Sequence, residues 1–491
     1  MRLSILEEVP RGRLFIGGEW VRAASGRSFP TYNPATGEIL DRVPLAEEAD
    51  VGRAVDAARA ALPAWAATPG PERGARLRAL AAALREHRQE FARLDALNSG
   101  NVISGMRRDV EWAAESLEYF AGLIPELKGE TLPEEPTAFS YTVREPFGVV
   151  GKINPFNHPI RFAAEKLAAP LAAGNTVVVK PPEQAPLSSL ALARVLAGIF
   201  PPGVVNIVTG DGPTTGAALV RHPLVRRIAL IGSVEAGRAV MRAAAAELKT
   251  VTLELGGKNP IIVLPDVDPD EAAAAAVAAM NFNRAGQSCS STSRAFVHRR
   301  LHDAFVEAVR CRLARLRLGL PEHDESEMGP LVSREQHERV LGYIEAGRRE
   351  GARLVCGGGV PDDPTLRRGF FVQPTLFDGV RPEMRIAQEE IFGPVLAVLA
   401  WDDEEEMLRQ VNGVIYGLSA AIYTRDYAAA HRLARRIEAG YIWVNIPGGH
   451  ALGSPYGGLK QSGIGREECL DELLSYTQVK SVRMRLPAGP A

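Results

Sequence analysis

From Gly148 onward the chain alternates short apolar runs with helical stretches, and this rhythm limits the fold more than any other feature of its 491 residues. GVVGKIN at 148 is followed by helical RFAAEKLAAPLAAG, then NTVVVK, helical LSSLALARVLAGI and VVNIVTG. Helix TTGAALVRHP, strand RRIALIGS, helix VEAGRAVMRAAAAE and strand TVTLELGG complete the set. Continuous β-branched runs that alternate with helices belong to a parallel sheet buried on both faces. A second alternating set runs from PIIVLP at 260 to about 456, which predicts a second α/β unit. The fold class expected is therefore α/β.

Before position 125 the text reads as mostly helical, with apolar residues three and four apart and breakers at Pro69 to Pro71 and at Gly100. Around 126 to 146 come Pro133, Pro136 and Pro146 and a strand-like run, with no helical period. The C-terminal LLSYTQVKSVRMRL also reads as a strand. Two open strand edges invite aggregation, so pairing with another subunit is expected. Six arginines between 299 and 317 read as the solvated face of a helix opposite Leu301, Phe305, Val309 and Leu313. The acids at 402 to 406 read as a helix N-terminus.

Fifty-seven Lys plus Arg against fifty-nine Asp plus Glu leave a net charge of −2, so nucleic acid and anionic lipid are not expected partners. Ala272 to Met280 is far short of the roughly 20 apolar residues of a membrane span. Cys289, Cys311, Cys356 and Cys469 form no metal spacing and no disulfide framework, which fits a reducing compartment and no metal. The N-terminal MRLSILEEVPRG has no secretory apolar region, so a cytoplasmic protein is expected.

Three residues stand where chemistry is plausible. Cys289, in NFNRAGQSCSS, lies in a turn-forming stretch rather than on an apolar face, which favours a nucleophile over an inert core thiol. Glu254 lies in TVTLELGG, where an apolar strand of alternating Val251, Leu253 and Leu255 breaks into two glycines. There it is either a solvent-facing strand end or a carboxylate that burial turns into a general base. Asn157, between Pro155 and Pro159, is an ordinary turn residue or a fixed amide donor for an oxyanion. Lys180 and Glu183 in VVVKPPEQ close another buried strand, where they suit ribose hydroxyls or merely pair at the surface. IGSVEAG follows a strand and opens a helix, a weak fingerprint for a pyrophosphate.

The order of these motifs identifies a resemblance. PFNHP, KPPE, IGSVEAG, LELGGKNP, FNRAGQSC, EEIFGPV and PYGGLKQSGIGRE, spread over residues 10 to 485, make the sequence similar to the NAD(P)-dependent aldehyde dehydrogenase superfamily. The resemblance implies Cys289 as nucleophile, Glu254 as general base, and Asn157 with the Cys289 N–H as oxyanion hole. It places Lys180 and Glu183 on the adenosine ribose, Gly232 and Ser233 at the pyrophosphate, and Glu390 and Phe392 at the nicotinamide end. It implies NAD, with NADP the second candidate, and oxidation of an aldehyde to a carboxylic acid through a hydrolysed thioester. CoA acylation and a non-catalytic member are the alternatives, and the presence of both Glu254 and Cys289 speaks against them.

The implied architecture is a Rossmann-like cofactor domain over 1–125 and 146–256, to which 457–471 returns, and a catalytic domain over 257–456. A small β oligomerisation extension over 126–145 and 472–487 implies a homodimer or homotetramer. Phe156, His158 and Val234 depart from the usual family residues. His158, Arg161 and Glu165 share one helical face, which suggests a polar or aromatic aldehyde unless Arg161 and Glu165 only pair at the surface.

Overall fold

The computed structural model describes residues 9–133, 135 and 137–486. Residues 1–8 of the N-terminal reading, and Glu134, Pro136 and Pro487 of the expected extension, lie outside the described residues. Two separate sheets carry the molecule.

The first sheet has eight strands, and five of them are parallel: Val205–Ile207, Thr176–Lys180, Val149–Ile153, Val225–Ile231 and Thr250–Glu254, in that spatial order. Leu14–Ile16 and Glu19–Val21 extend one edge as an antiparallel hairpin, and Gly463–Ile464 closes the other edge antiparallel. Alternation along one strand shows why it is apolar throughout. Val177 and Val179 pack under Leu77, Leu167 and Leu192, whereas Val178 packs with Val51, Val55 and Leu230 on the opposite face. Both faces are covered by helices, as a parallel sheet requires.

The second sheet has seven strands in the order Arg353–Cys356, Thr375–Asp378, Val395–Trp401, Arg294–His298, Pro260–Val263, Ser419–Tyr423 and Tyr441–Val444. All are parallel except the first, which runs antiparallel to its neighbour. The chain crosses from the first sheet to the second through only five residues, 255–259. The arginine-rich helix is Arg299–Leu313, with Phe305, Val306, Val309 and Leu313 buried, and Asp403 caps the helix Glu404–Asn412.

Three readings need correction. The first 45 residues hold four short strands, Leu14–Ile16, Glu19–Val21, Ser28–Tyr32 and Ile39–Pro44, where helix was expected to dominate. Only Ala217–Arg221 of TTGAALVRHP is α-helix, after a wider turn over Gly212–Gly216. At the C-terminus Leu470–Ser475 is helix and the strand begins at Thr477. That strand, Thr477–Arg485, pairs antiparallel with Ala138–Pro146 of the same chain along its full length. The two expected edges therefore satisfy each other, and the ribbon they form presents Val479 and Met484 to solvent.

Candidate active site

In the parallel sheet the chain steps outward from Val149–Ile153 to Val205–Ile207 and then returns to Val225–Ile231 on the other side. Ligands bind open α/β sheets at the carboxyl ends of strands where the order reverses in this way. Ile153, Ile231 and Glu254 end three adjacent strands there, and the loops that follow carry the site.

Asn157 lies in the loop after Ile153. Asn154 N donates to the Lys180 carbonyl, Asn101 Nδ2 donates to the Asn157 carbonyl at 3.0 Å, and Ile160 N donates to Asp95 Oδ2 at 2.8 Å. The loop is thus pinned at three points. Asn157 is 3 % exposed, and its Oδ1 is buried without a hydrogen-bond partner among the described residues.

Cys289 follows a turn in which Ala285 and Gly286 both adopt positive φ, 51° and 71°. Gly286 is required, because a Cβ there would collide with the Gly393 carbonyl. Asn259 Nδ2 donates to the Cys289 carbonyl at 2.7 Å and holds the far side of the loop. The sulfur stands 3.9 Å from Tyr456 Oη and interacts with Glu254. Burial pushes the thiol well above its ordinary pKa, and the Glu254 charge adds to this. Burial also pushes the Glu254 carboxyl up to about 8, opposed by its hydrogen bond with Cys289. Two neighbouring buried acids are hard to ionise together, so burial and proximity both favour the protonated forms. Glu254 Oε1 is buried without a protein partner.

Two cavities meet at this pair. One, of about 180 Å³, is lined by Phe156, Asn157, Gly232, Ser233, Glu390 and Phe392 together with Glu254 and Cys289. The other, of about 430 Å³, reaches the same Glu254 and Cys289 from the side of Trp112, His158, Arg161, His450 and Tyr456. A thiol and a carboxyl at the junction of two cavities can act between two bound molecules.

The first cavity gathers most of the expected cofactor residues. Glu390 Oε1 accepts from Gly257 N at 3.0 Å, and burial raises its carboxyl to about 7. Phe392 adopts a positive φ of 57° and meets the Phe156 ring edge to face at 5.7 Å. Ser233 caps the helix Val234–Ala245 through Ala236 N. The Gly232 N–H donates to the Glu254 carbonyl at 3.0 Å, so it continues the sheet and does not serve an anion. The first N–H groups of the following helix remain without intrahelical partners. Lys180 and Glu183 do pair, at 3.0 Å, yet Lys180 is buried and only Glu183 reaches solvent, so this is no ordinary surface pair.

The model of the aldehyde dehydrogenase family matches residues 20–482. The chain belongs to that family. It is 49 % identical to aldehyde dehydrogenase tropH of Talaromyces stipitatus over 96 % of this chain and 93 % of that one. Among solved structures it is similar to the NAD+ complex of an aldehyde dehydrogenase from Bacillus cereus, at 41 % identity with 99 % of each chain covered and a TM-score of 0.96. It is also similar to betaine aldehyde dehydrogenase of Staphylococcus aureus in complex with NAD+, at 34 % identity, 98 % and 96 % coverage and a TM-score of 0.95.

The second cavity of this aldehyde dehydrogenase is walled by charge that the sequence only partly announced. Arg161 pairs with Glu165 at 2.6 Å and with Glu468 at 2.7 Å, and its guanidinium lies 4.8 Å from the Trp112 ring centre. Glu165 is 2 % exposed, so the two residues pair in the interior rather than at the surface. Lys166 bridges Glu165 and Glu467. His450 stacks on Tyr456 at 3.9 Å and shares Glu468 with Arg161. Sequence reasoning missed Tyr456, Asp109 and Arg284. Asp109 had a readable signal, an acid on the apolar stripe of Met106, Val110 and Ala113.

Proposed function

We propose that this aldehyde dehydrogenase oxidises a polar or aromatic aldehyde to a carboxylic acid with NAD, through a thioester on Cys289 that Glu254 helps water to cleave. The observation that carries this reading is the buried, unpartnered Glu254 Oε1 beside the Cys289 thiol at the junction of two cavities. An acid placed there serves first the thiol and then a water.

In its ionised form Glu254 accepts the thiol proton as sulfur adds to the carbonyl carbon. The carbonyl oxygen gains the negative charge, and Asn157 Nδ2 and the Cys289 N–H are the donors near it. NAD, when bound, supplies the hydride acceptor. Glu254 releases that proton to solvent and, ionised again, takes a proton from water as the water oxygen attacks the thioester. The carbon–sulfur bond breaks, and the departing Cys289 thiolate receives the proton from Glu254 and leaves as a thiol. The residues of the smaller cavity fit the cofactor. Glycines at 256 and 257 let Glu390 reach in, Ser233 opens a helix N-terminus for the pyrophosphate, and the half-exposed Glu183 suits a ribose.

Polar or aromatic substrates are favoured by the wall of Trp112, Phe162, His450 and Tyr456 interleaved with fixed charges. The two sheets support a cofactor unit of 1–125 and 146–256, to which 457–471 returns, and a catalytic unit of 257–456. The ribbon supports an oligomerisation extension. All four cysteines are free, which favours a reducing, cytoplasmic setting. No helix among the described residues is long and apolar enough to cross a membrane. The test is an aldehyde panel followed at the NADH absorbance with and without CoA. Carboxylic acid formed without CoA, fastest for polar or aromatic members, is expected. A requirement for CoA, or activity rising steadily with alkyl length, overturns the reading.

A further inference from the structure

We propose that Asp109 is a positioning residue that locks the loop carrying Asn157 to the loop carrying Cys289. Asp109 stands on the helix Ile103–Leu123, is 3 % exposed, and belongs to neither loop. Its Oδ2 lies 2.9 Å from His158 Nδ1, one residue beyond Asn157. Its Oδ1 accepts from Arg284 Nη2 at 2.5 Å, and Arg284 opens the turn that ends in Cys289. Arg284 Nη2 also lies 3.1 Å from His158 Nδ1, so the three side chains close a triangle. The turn is itself stiff, since Gln287 N donates to the Arg284 carbonyl and Gln287 Oε1 accepts from Val332 N at 3.1 Å. Gly105, one turn before Asp109, leaves the space that Arg284 occupies, for a Cβ there would lie 3.3 Å from its Nη1.

Stability alone is a poor reason for this cluster, because apolar residues of similar volume commonly replace a buried ion pair at no loss. What an apolar cluster cannot do is fix two loops at defined hydrogen-bond distances from one carboxylate. An oxyanion donor is effective only when it is fixed relative to the attacking sulfur, and displacement by about 1 Å can lower a rate about 100-fold. Asp109 lines the larger cavity but bonds neither the Cys289 sulfur nor the Asn157 amide, and acts through the loops that carry them.

The proposal rests on the oxyanion role of Asn157, so the test includes both residues. Asp109→Asn keeps the shape but replaces one acceptor oxygen by a donor. Acylation of Cys289 is read without cofactor, from the burst of p-nitrophenolate released by p-nitrophenyl acetate, in wild type, Asp109→Asn, Asn157→Ala and the double variant. Asp109→Asn is expected to slow the burst about 10- to 100-fold with half-saturation unchanged, yet to add less than about 2-fold on the Asn157→Ala background. Multiplicative effects, or a single-variant burst within about 2-fold of wild type, overturn the positioning role alone. An unchanged burst in Asn157→Ala overturns the oxyanion assignment and the proposal with it. Should Asp109→Asn not fold, His158→Phe severs the tie on the oxyanion side only. The same non-additivity is then expected, and additivity overturns the proposal.

Discussion

Gly256 and Glu390 occupy space that a single side chain more would close: a Cβ on Gly256 would overlap the Glu390 carboxylate. The same carboxylate is held by the Gly257 N–H at 3.0 Å, and a Cβ on Gly257 would press on the Cys289 carbonyl. The two glycines after the Glu254 strand thus let the carboxylate and the nucleophile loop approach the strand end together.

Gly256→Ala is therefore expected to displace Glu390 rather than the sheet, because the carboxylate is the movable partner. NAD affinity, measured by quenching of tryptophan fluorescence, should fall at least about 10-fold while the melting temperature changes little. An unchanged Kd would mean that Glu390 does not hold the cofactor.

Preference between cofactors turns on Glu183. Its side chain is 40 % exposed and shares Lys180, which is buried, at 3.0 Å. A carboxylate that accepts a ribose 2′-hydroxyl repels a 2′-phosphate carrying nearly two charges, and the nearby ammonium offsets part of this. A clear preference for NAD is expected in kcat/KM, and Glu183→Gln should narrow it. Equal efficiency with both cofactors in the wild type would remove the argument.

How far the sequence reaches can be followed through particular residues. Val177, Val178 and Val179 announced a doubly covered strand because both faces are buried, and no tertiary detail was needed. The early strands were missed because they are only three to six residues long and, apart from the buried Leu14–Ile16, partly exposed, with Pro30 inside one of them. LLSY is equally apolar as helix or strand, and only the packing of its Leu473 and Tyr476 in the core beside the helix Pro159–Ala172 decides. Cys289 was singled out by its turn-forming surroundings, whereas Glu254 and Asn157 each kept a bland alternative until the order of the motifs was read. Asp109 showed only its place on the apolar stripe of its helix; its partners His158 and Arg284, 49 and 175 residues away, were not legible.

Assembly follows from the ribbon. Ala138–Pro146 and Thr477–Arg485 satisfy each other, and residues 130–132 bond part of the outer edge of Ala138–Pro146, but the outer edge of Thr477–Arg485 pairs with no further strand among the described residues and exposes Val479 and Met484. An isolated two-stranded ribbon is marginal in water, so a second copy of the chain is the economical cover. Light scattering at micromolar concentration should give a dimer or tetramer, and Val479→Glu with Met484→Glu should shift it toward monomer. A stable wild-type monomer would count against the extension.

Glu254 gives the sharpest test, because its pKa links rate and stability with opposite signs. Its carboxyl is raised to about 8 by burial, so only the ionised fraction above that range can accept a proton. The rate of thioester hydrolysis should therefore rise with pH and level off above about 8, and the rise should vanish in Glu254→Gln. That variant should show a burst of NADH slower than in wild type, because the thiol has lost its proton acceptor, followed by turnover slower still, whereas Cys289→Ala should show no burst. Stability runs the other way. A group whose folded pKa lies above its unfolded value contributes stability that is complete below the unfolded pKa and is lost as pH rises through the folded one. Wild type should accordingly lose melting temperature as pH rises from about 5 toward about 8 and level off above that, and Glu254→Gln should lose less over the same window. If the variant turns over at the wild-type rate, or if both proteins lose melting temperature equally, Glu254 is neither the base nor a buried titrating group.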